Sequence, residues 1–335
     1  MPGIRTRMKK GLNTVNIRKG ILDYSKAVLS LWFSLCRIMI PVIVVVKILN
    51  EFDVIRYVAM PLSPVMLIVG LPPEMGLVWA TAMLNNIYGG IIVMLSLPAT
   101  ATLTAAQATV LGVMVLVAHT LPVELRIAQK SGARALFQGI SRVGSALLLG
   151  MILNLAFSSL DLFQEPASIM LGGQGSPQYR GILGWMLSEA TRLLWILVII
   201  AALVAMMRIL RAIGAIRLID IMLRPILRLL GIGPKASAIT VIGLTLGVAY
   251  GGGLIIHEAR SGEIGPKDVF FCLTLMGLAH SLIEDTLLIM TIGGHLAGIL
   301  LARVAYAVIV VMLIVKVVSL LPESFCKRFL WKYVS

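Results

Sequence analysis

The residues with the most chemistry in this chain are His119, Glu124, His280, Glu284 and Asp285, and each lies within a long apolar segment. Ionisable groups at membrane depth are costly and are retained mainly where something is bound or moved. Four residues separate His280 from Glu284, a spacing that puts an imidazole and a carboxylate on one helix face, where they can hold a proton, a cation or a divalent metal. His119 and Glu124 are five residues apart, as are His280 and Asp285, and five residues turn a regular helix by about 140°. The members of each pair therefore meet only if the helix is interrupted, and Pro122 supplies such an interruption in the first. These five residues are the candidate coupling groups. A plainer reading has them satisfying one another, or Arg142 and Arg303, and merely fixing the fold. The two arginines themselves read as anion ligands or as counter-ions to Glu124 and Asp285, unless they snorkel to lipid headgroups from the first turns of their segments.

A second kind of chemistry belongs to the backbone. Tyr250, Gly251, Gly252 and Gly253 break one apolar segment, and Asn85, Asn86, Tyr88, Gly89 and Gly90 break another. A discontinuous helix in a membrane exposes N–H groups that can hold an anion or a polar solute near the midplane. These residues, with Arg142 and Arg303, are the candidate substrate-binding set. Close helix packing accounts equally well for the stripe Gly243, Gly247, Gly251 and its counterpart Thr81, Asn85, Gly89.

The elements that carry these residues follow from composition. The 335 residues are 59% hydrophobic and 13% charged, with a mean hydropathy of +0.98; soluble domains are about 45–50% apolar. The reading is an all-α polytopic membrane protein with about eight transmembrane helices in two tandem four-helix repeats, including broken helices and in-plane amphipathic helices. A basic N-terminal tail (1–28), without the features of a cleaved signal peptide, precedes repeat 1 (29–160). A polar linker (161–181), repeat 2 (182–320) and a basic C-terminal tail (321–335) follow. Between Arg208 and Leu230, charges at helical spacing opposite Ile216, Ile219, Leu223 and Leu227 indicate a helix lying on the membrane surface. Cys36, Cys272 and Cys326 form no disulfide framework and no zinc motif.

The repeat is visible in residues that chance would not match. Shifted by 161, Pro64 falls on Pro225, Gly70 on Gly231, His119 on His280, Glu124 on Asp285, Gly132 on Gly293 and Arg142 on Arg303. A one-residue slip brings Tyr88, Gly89, Gly90 onto Tyr250, Gly251, Gly252. Four crossings per half would make the repeats parallel, and an odd number would invert them. With eight crossings the basic tail and the basic stretch Arg208 to Lys235 fall on opposite sides, so charge does not orient the chain unless a segment is re-entrant or the count is off by one. The second copy, with its extra glycine and Glu284, is expected to carry the chemistry.

The glycine-broken span followed by a span with a central polar cluster, in Ala249 to Gly253 and Leu278 to Thr286, resembles the nucleoside-recognition or gate-domain family of membrane proteins. That family includes spore maturation proteins A and B. The resemblance covers about Leu29 to Leu320 as two fused gate domains and implies solute movement across a membrane. It does not carry a nucleoside with it, because the sugar-contacting segments of a nucleoside symporter are absent.

These features describe a secondary transporter or permease for a small, polar, anionic solute bound between the repeats. No catalytic or metal residue is assigned and no cofactor is defined, and no nucleophile, phosphate-loop or zinc-protease motif marks an enzyme. Partners are a bilayer with anionic lipids and the solute; nucleic acid is not expected despite a net charge of +14, and a homo-oligomer is left open. The setting is a multi-pass protein of a prokaryotic cytoplasmic membrane. The rivals are an intramembrane metal permease or metal-dependent enzyme using the His and acid cluster, and a non-transporting lipid-handling protein or complex subunit.

Overall fold

The computed structural model describes residues 3–52, 54, 57, 59–170 and 181–332. Among these the secondary structure is helical, with two isolated β-bridges and no strand. Six helices or helix pairs are long and apolar enough to cross a membrane: Leu22–Leu49, Ala105–Lys130, Ala135–Ser159, Gly181–Leu210, Pro266–Met290 and Ala297–Leu320. The other two apolar segments of the expected eight fold back on themselves, which lowers the count to three crossings in each half.

The first fold-back joins α3 (Met75–Leu84) to α4 (Ile87–Ser96), each of 10 residues. Ten residues rise about 15 Å, half a hydrocarbon core. The turn lies at Asn85 and Asn86, where the backbone leaves helical geometry and the Asn86 side chain caps α4 by accepting from the Gly89 N–H at 2.8 Å. The arms return side by side, so a Cβ on Gly90 would press on Ala82 and the Val78 carbonyl. The second fold-back pairs α10 (Pro234–Leu246) with α11 (Val248–Arg260) around Gly247, whose φ of 91° and ψ of 163° suit only glycine. Lys235 and Glu263 form an exposed ion pair across its open end, each holding the other in its charged form.

In the numbering used here α1 is Gly3–Glu51, α2 Ser63–Ile68, α5 Ala105–Val117, α6 Leu121–Lys130, α7 Ala135–Ser159, α8 Gly181–Ala212 and α9 Ala215–Leu229; α12 is Pro266–Ala279, α13 Glu284–Met290, α14 Arg303–Leu320 and α15 Glu323–Phe329. Helix α9 is the amphipathic element expected between Arg208 and Leu230. It packs Leu223, Ile226 and Leu227 on the core and exposes Leu218, Ile221, Met222 and Leu229.

Helices α1 and α8 occupy equivalent places in the two halves, and they pack against each other. The Trp32 indole donates to the carbonyl of Leu193, its own counterpart at a separation of 161, at 2.9 Å, while Tyr24 donates to Ala201 at 2.7 Å. As one residue number rises the other falls, so the two helices are antiparallel. An axis along the membrane normal would leave equivalent helices parallel, whereas an axis in the membrane plane reverses them. The repeats are inverted, as three crossings per half also require. The pairing extends to backbone angles: φ is 72° at Gly70 and 70° at Gly231, and 97° at Gly132 and 92° at Gly293.

Inversion also resolves the charges. With six crossings the N-terminal tail, Arg126 to Arg134, Arg208 to Lys235, Arg260, Lys267, Lys327 and Arg328 share one face, while among the described residues Lys47 stands at the other.

Candidate functional site

Two crossings, one from each half, are broken at equivalent points. Helix α5 ends at Val117 and α6 begins at Leu121; α12 ends at Ala279 and α13 begins at Glu284. At the breaks Thr120 and Ser281 both take φ of 51°, a left-handed conformation that is costly for a β-branched residue such as Thr120. Each break is tied to the neighbouring fold-back. The Thr120 N–H donates to the Ala82 carbonyl at 2.9 Å, and the Leu282 N–H donates to the Leu244 carbonyl at 2.8 Å.

A broken helix leaves carbonyls without partners, and here the arginines supply them. Arg142 donates from Nε to the Val117 carbonyl at 2.9 Å and from Nη2 to the His119 carbonyl at 3.1 Å. Arg303 repeats the pattern on Leu278 at 3.0 Å and His280 at 2.7 Å. Both side chains are fully buried, so neither snorkels to headgroups. Their third nitrogens differ. Arg142 Nη1 bonds Glu124 at 2.5 Å, whereas Arg303 Nη1 has no hydrogen-bond partner. Asp285 is one methylene shorter than Glu124 and makes no bond to that nitrogen.

The two histidines meet between the breaks. His119 Nε2 lies 3.1 Å from His280 Nε2, with ring centroids 4.8 Å apart. Each Nδ1 is held by the carbonyl four residues earlier, Val115 at 3.0 Å and Met276 at 2.8 Å. A carbonyl can only accept, so each Nδ1 carries its hydrogen and each neutral ring turns an Nε2 lone pair toward the other. Two lone pairs at that distance need a cation between them, and a proton on either Nε2 is the simplest one. Glu124 Oε1 stands 3.4 Å from His280 Nε2 and 3.7 Å from His119 Nε2, and Asp285 Oδ2 stands 3.9 Å from His119 Nε2.

The expected residues distribute around this centre. His119, Glu124, His280 and Asp285 come together across the halves, so the site is shared and not confined to the second copy. The helix stops at Ala279, which removes the i,i+4 relation between His280 and Glu284; Glu284 instead lies with Asp285 in electrostatic reach of Tyr88. Asn86 caps α4 and donates to Asn85, while Gly89 and Gly90 let the arms of the first fold-back approach. Gly252 is buried and Gly253 exposed in α11. The backbones of Tyr250 and Gly251 belong to the same helix, but their surroundings fall outside the described residues. Thr120, Ser281 and the capping role of the arginines were not expected; the signal was the repeated Ala-His followed by a hydroxyl residue in both copies.

A small pocket of about 20 Å³, room for about one water molecule, lies beside the cluster toward the basic face, lined by Glu124, Ala128, Gln138, Arg142, Met276 and Gly277 among others. Its equivalent in the other half would open to the opposite face. There the places of Ala128 and Gln138 are taken by Ile289 and Ile299, both fully buried, and Ile289 is packed onto Gly112 so closely that a Cβ would collide.

Along 283 residues the chain is 27% identical to a protein of Bacillus subtilis (strain 168) described as uncharacterized membrane protein YvoD, an overlap of 84% of this chain and 89% of that relative. The chain is an integral, all-helical, polytopic membrane protein. No protein-family model and no solved structure matches it.

Proposed function

We propose that this protein is an alternating-access permease whose cargo or coupling cation binds between the inverted repeats, at His119, His280, Glu124 and Asp285. The observation that carries the reading is the inequality of two equivalent spaces: the one beside Glu124 keeps a small pocket between Ala128 and Gln138, whereas the equivalent places beside Asp285 hold the branched side chains of Ile289 and Ile299. Inverted repeats can exchange such conformations, which closes the first space and opens the second around a fixed site. Both arginines are spent largely on backbone carbonyls, so the centre offers lone pairs and carboxylates, and a cation suits it better than the anion expected from the sequence. The orphaned Nη1 of Arg303 favours a second reading in which an anionic group is carried with the cation. The resemblance to the gate-domain family supports solute movement generally. The basic face is assigned to the cytoplasm by the excess of Lys and Arg in its connections, and the basic helix α9 is assigned to anionic headgroups there.

Thiol accessibility tests this without knowledge of the cargo. In a chain whose buried Cys36, Cys272 and Cys326 are replaced by alanine, Leu125→Cys and its counterpart Thr286→Cys are exposed to a membrane-impermeant maleimide from either side of vesicles. A permease labels at Leu125→Cys from the basic face and at Thr286→Cys from the opposite face. If Thr286→Cys stays unreactive from both sides while the protein remains folded, transport by alternating access is excluded and a static scaffold is left.

A further inference from the structure

We infer that the cluster between the two breaks is a binding site for a first-row divalent transition metal, built from His119 Nε2, His280 Nε2 and Glu124, with Asp285 as the fourth ligand. The inference deepens the permease reading by naming the cargo class, and it rests on that reading only for the word cargo.

Geometry is the first argument. Ligand atoms about 2.0–2.2 Å from a tetrahedral zinc stand about 3.3–3.6 Å from one another. The three atoms from His119, His280 and Glu124 lie within 4.8 Å of one another, with separations of 3.1, 3.4 and 3.7 Å. Asp285 Oδ2, 3.9 Å from His119 Nε2, stands at the edge of this group. The rings are also oriented as metal ligands are: each Nδ1–H is held by a backbone carbonyl, which fixes the tautomer and presents Nε2 outward.

Charge is the second argument. Two arginines beside a dication would ordinarily oppose it. Here each guanidinium caps the C-terminal end of a broken helix, where the dipole contributes about half a negative charge, and binds the freed carbonyls. Each dipole offsets about half of a guanidinium charge, Glu124 turns Oε1 toward the histidines while Arg142 holds its Oε2, and Asp285 adds a second carboxylate. Imidazole donors select transition metals over calcium and magnesium, whose sites are built from oxygen.

The ligands come equally from both repeats, so the site exists only when the halves are assembled. The small pocket beside Glu124 lies on the basic-face side of the cluster. Exchange of the two repeat conformations would pass the same ion from the Glu124 side to the Asp285 side without dismantling the histidine pair.

The test uses the full purified chain in detergent, stripped with chelator and titrated with Co2+ alone. One saturable equivalent with visible d–d bands of a low-symmetry, imidazole-bearing centre is expected, competed by Zn2+. His119→Gln and Glu124→Gln should each weaken binding by tenfold or more, while a lipid-facing control, Leu313→Ala, should not. His280→Cys keeps a donor at the same place and should add a sulfur-to-cobalt charge-transfer band, which settles the matter even if the glutamine variants fold poorly. Absence of saturable Co2+ binding, or binding indifferent to His119→Gln and without the new band in His280→Cys, overturns the site. Because the titration does not depend on transport and thiol accessibility does not depend on metal, either reading can fail alone.

Discussion

His119 and His280 touch through their Nε2 atoms at 3.1 Å although 161 residues separate them and their helices enter the site from opposite directions. The contact requires both helices to stop short, both arginines to cover the freed carbonyls, and both Nδ1 atoms to be held. Several consequences are measurable.

The two arginines are equivalent in place but unequal in their partners. Arg142→Met strands two carbonyls and the buried carboxylate of Glu124, and should cost about 3–5 kcal/mol, the range for breaking a buried ion pair. Arg303→Met strands the carbonyls without breaking such a bond and should cost less. Thermal unfolding in detergent ranks the two, and adding Glu124→Gln should recover part of the loss for Arg142→Met.

Gly112 and Ile289 share one space on the closed side. Gly112→Val should destabilise by about 1–3 kcal/mol through overpacking. Combined with Ile289→Ala it should cost clearly less than the sum of the single changes, because the cavity made by one accepts the side chain added by the other. A double-mutant cycle on unfolding free energies reads this directly; additivity would mean that the two residues do not meet.

Thr120 pays for its φ of 51° with a conformation about 1–2 kcal/mol unfavourable for a residue with a Cβ. Glycine loses more chain entropy on folding, which offsets roughly 0.5–1 kcal/mol. Thr120→Gly should therefore leave the melting temperature unchanged or raise it, and Ser281→Gly should follow suit. A marked fall in melting temperature would show that the threonine side chain has a role beyond the turn.

Ala128→Ile copies into the first half the residue that fills the equivalent space in the second. It should suppress maleimide labelling at Leu125→Cys. Ile289→Ala should do the opposite for the far side and raise labelling at Thr286→Cys. Unchanged reactivity in both would show that these side chains do not close the spaces.

The chain's apolar composition alone settled that it is an all-helical membrane protein, because 59% hydrophobic residues cannot be covered by so few charges in water. Its duplication was equally legible, since proline, glycine, histidine, acid and arginine recurred at one spacing. The count of crossings was not. An apolar segment such as Glu74 to Leu97 has the length of a spanning helix, and only the two asparagines at its middle, with Gly90 fitted against Ala82, make it turn back. Hydropathy reads length and cannot see direction. From that difference follow six crossings, inverted halves and a single basic face.

The same division runs through the site. Residue type and spacing were enough to single out His119, Glu124, His280 and Asp285, because ionisable groups in lipid are rare. Tertiary structure decided how they combine: the breaks at Ala118 to Thr120 and His280 to Ile283 cancel the helical periodicity from which facing was read, move Glu284 away from His280, and assign the arginines to carbonyls. A sequence records which groups cannot be left in lipid alone; which of them meet depends on contacts between helices more than a hundred residues apart.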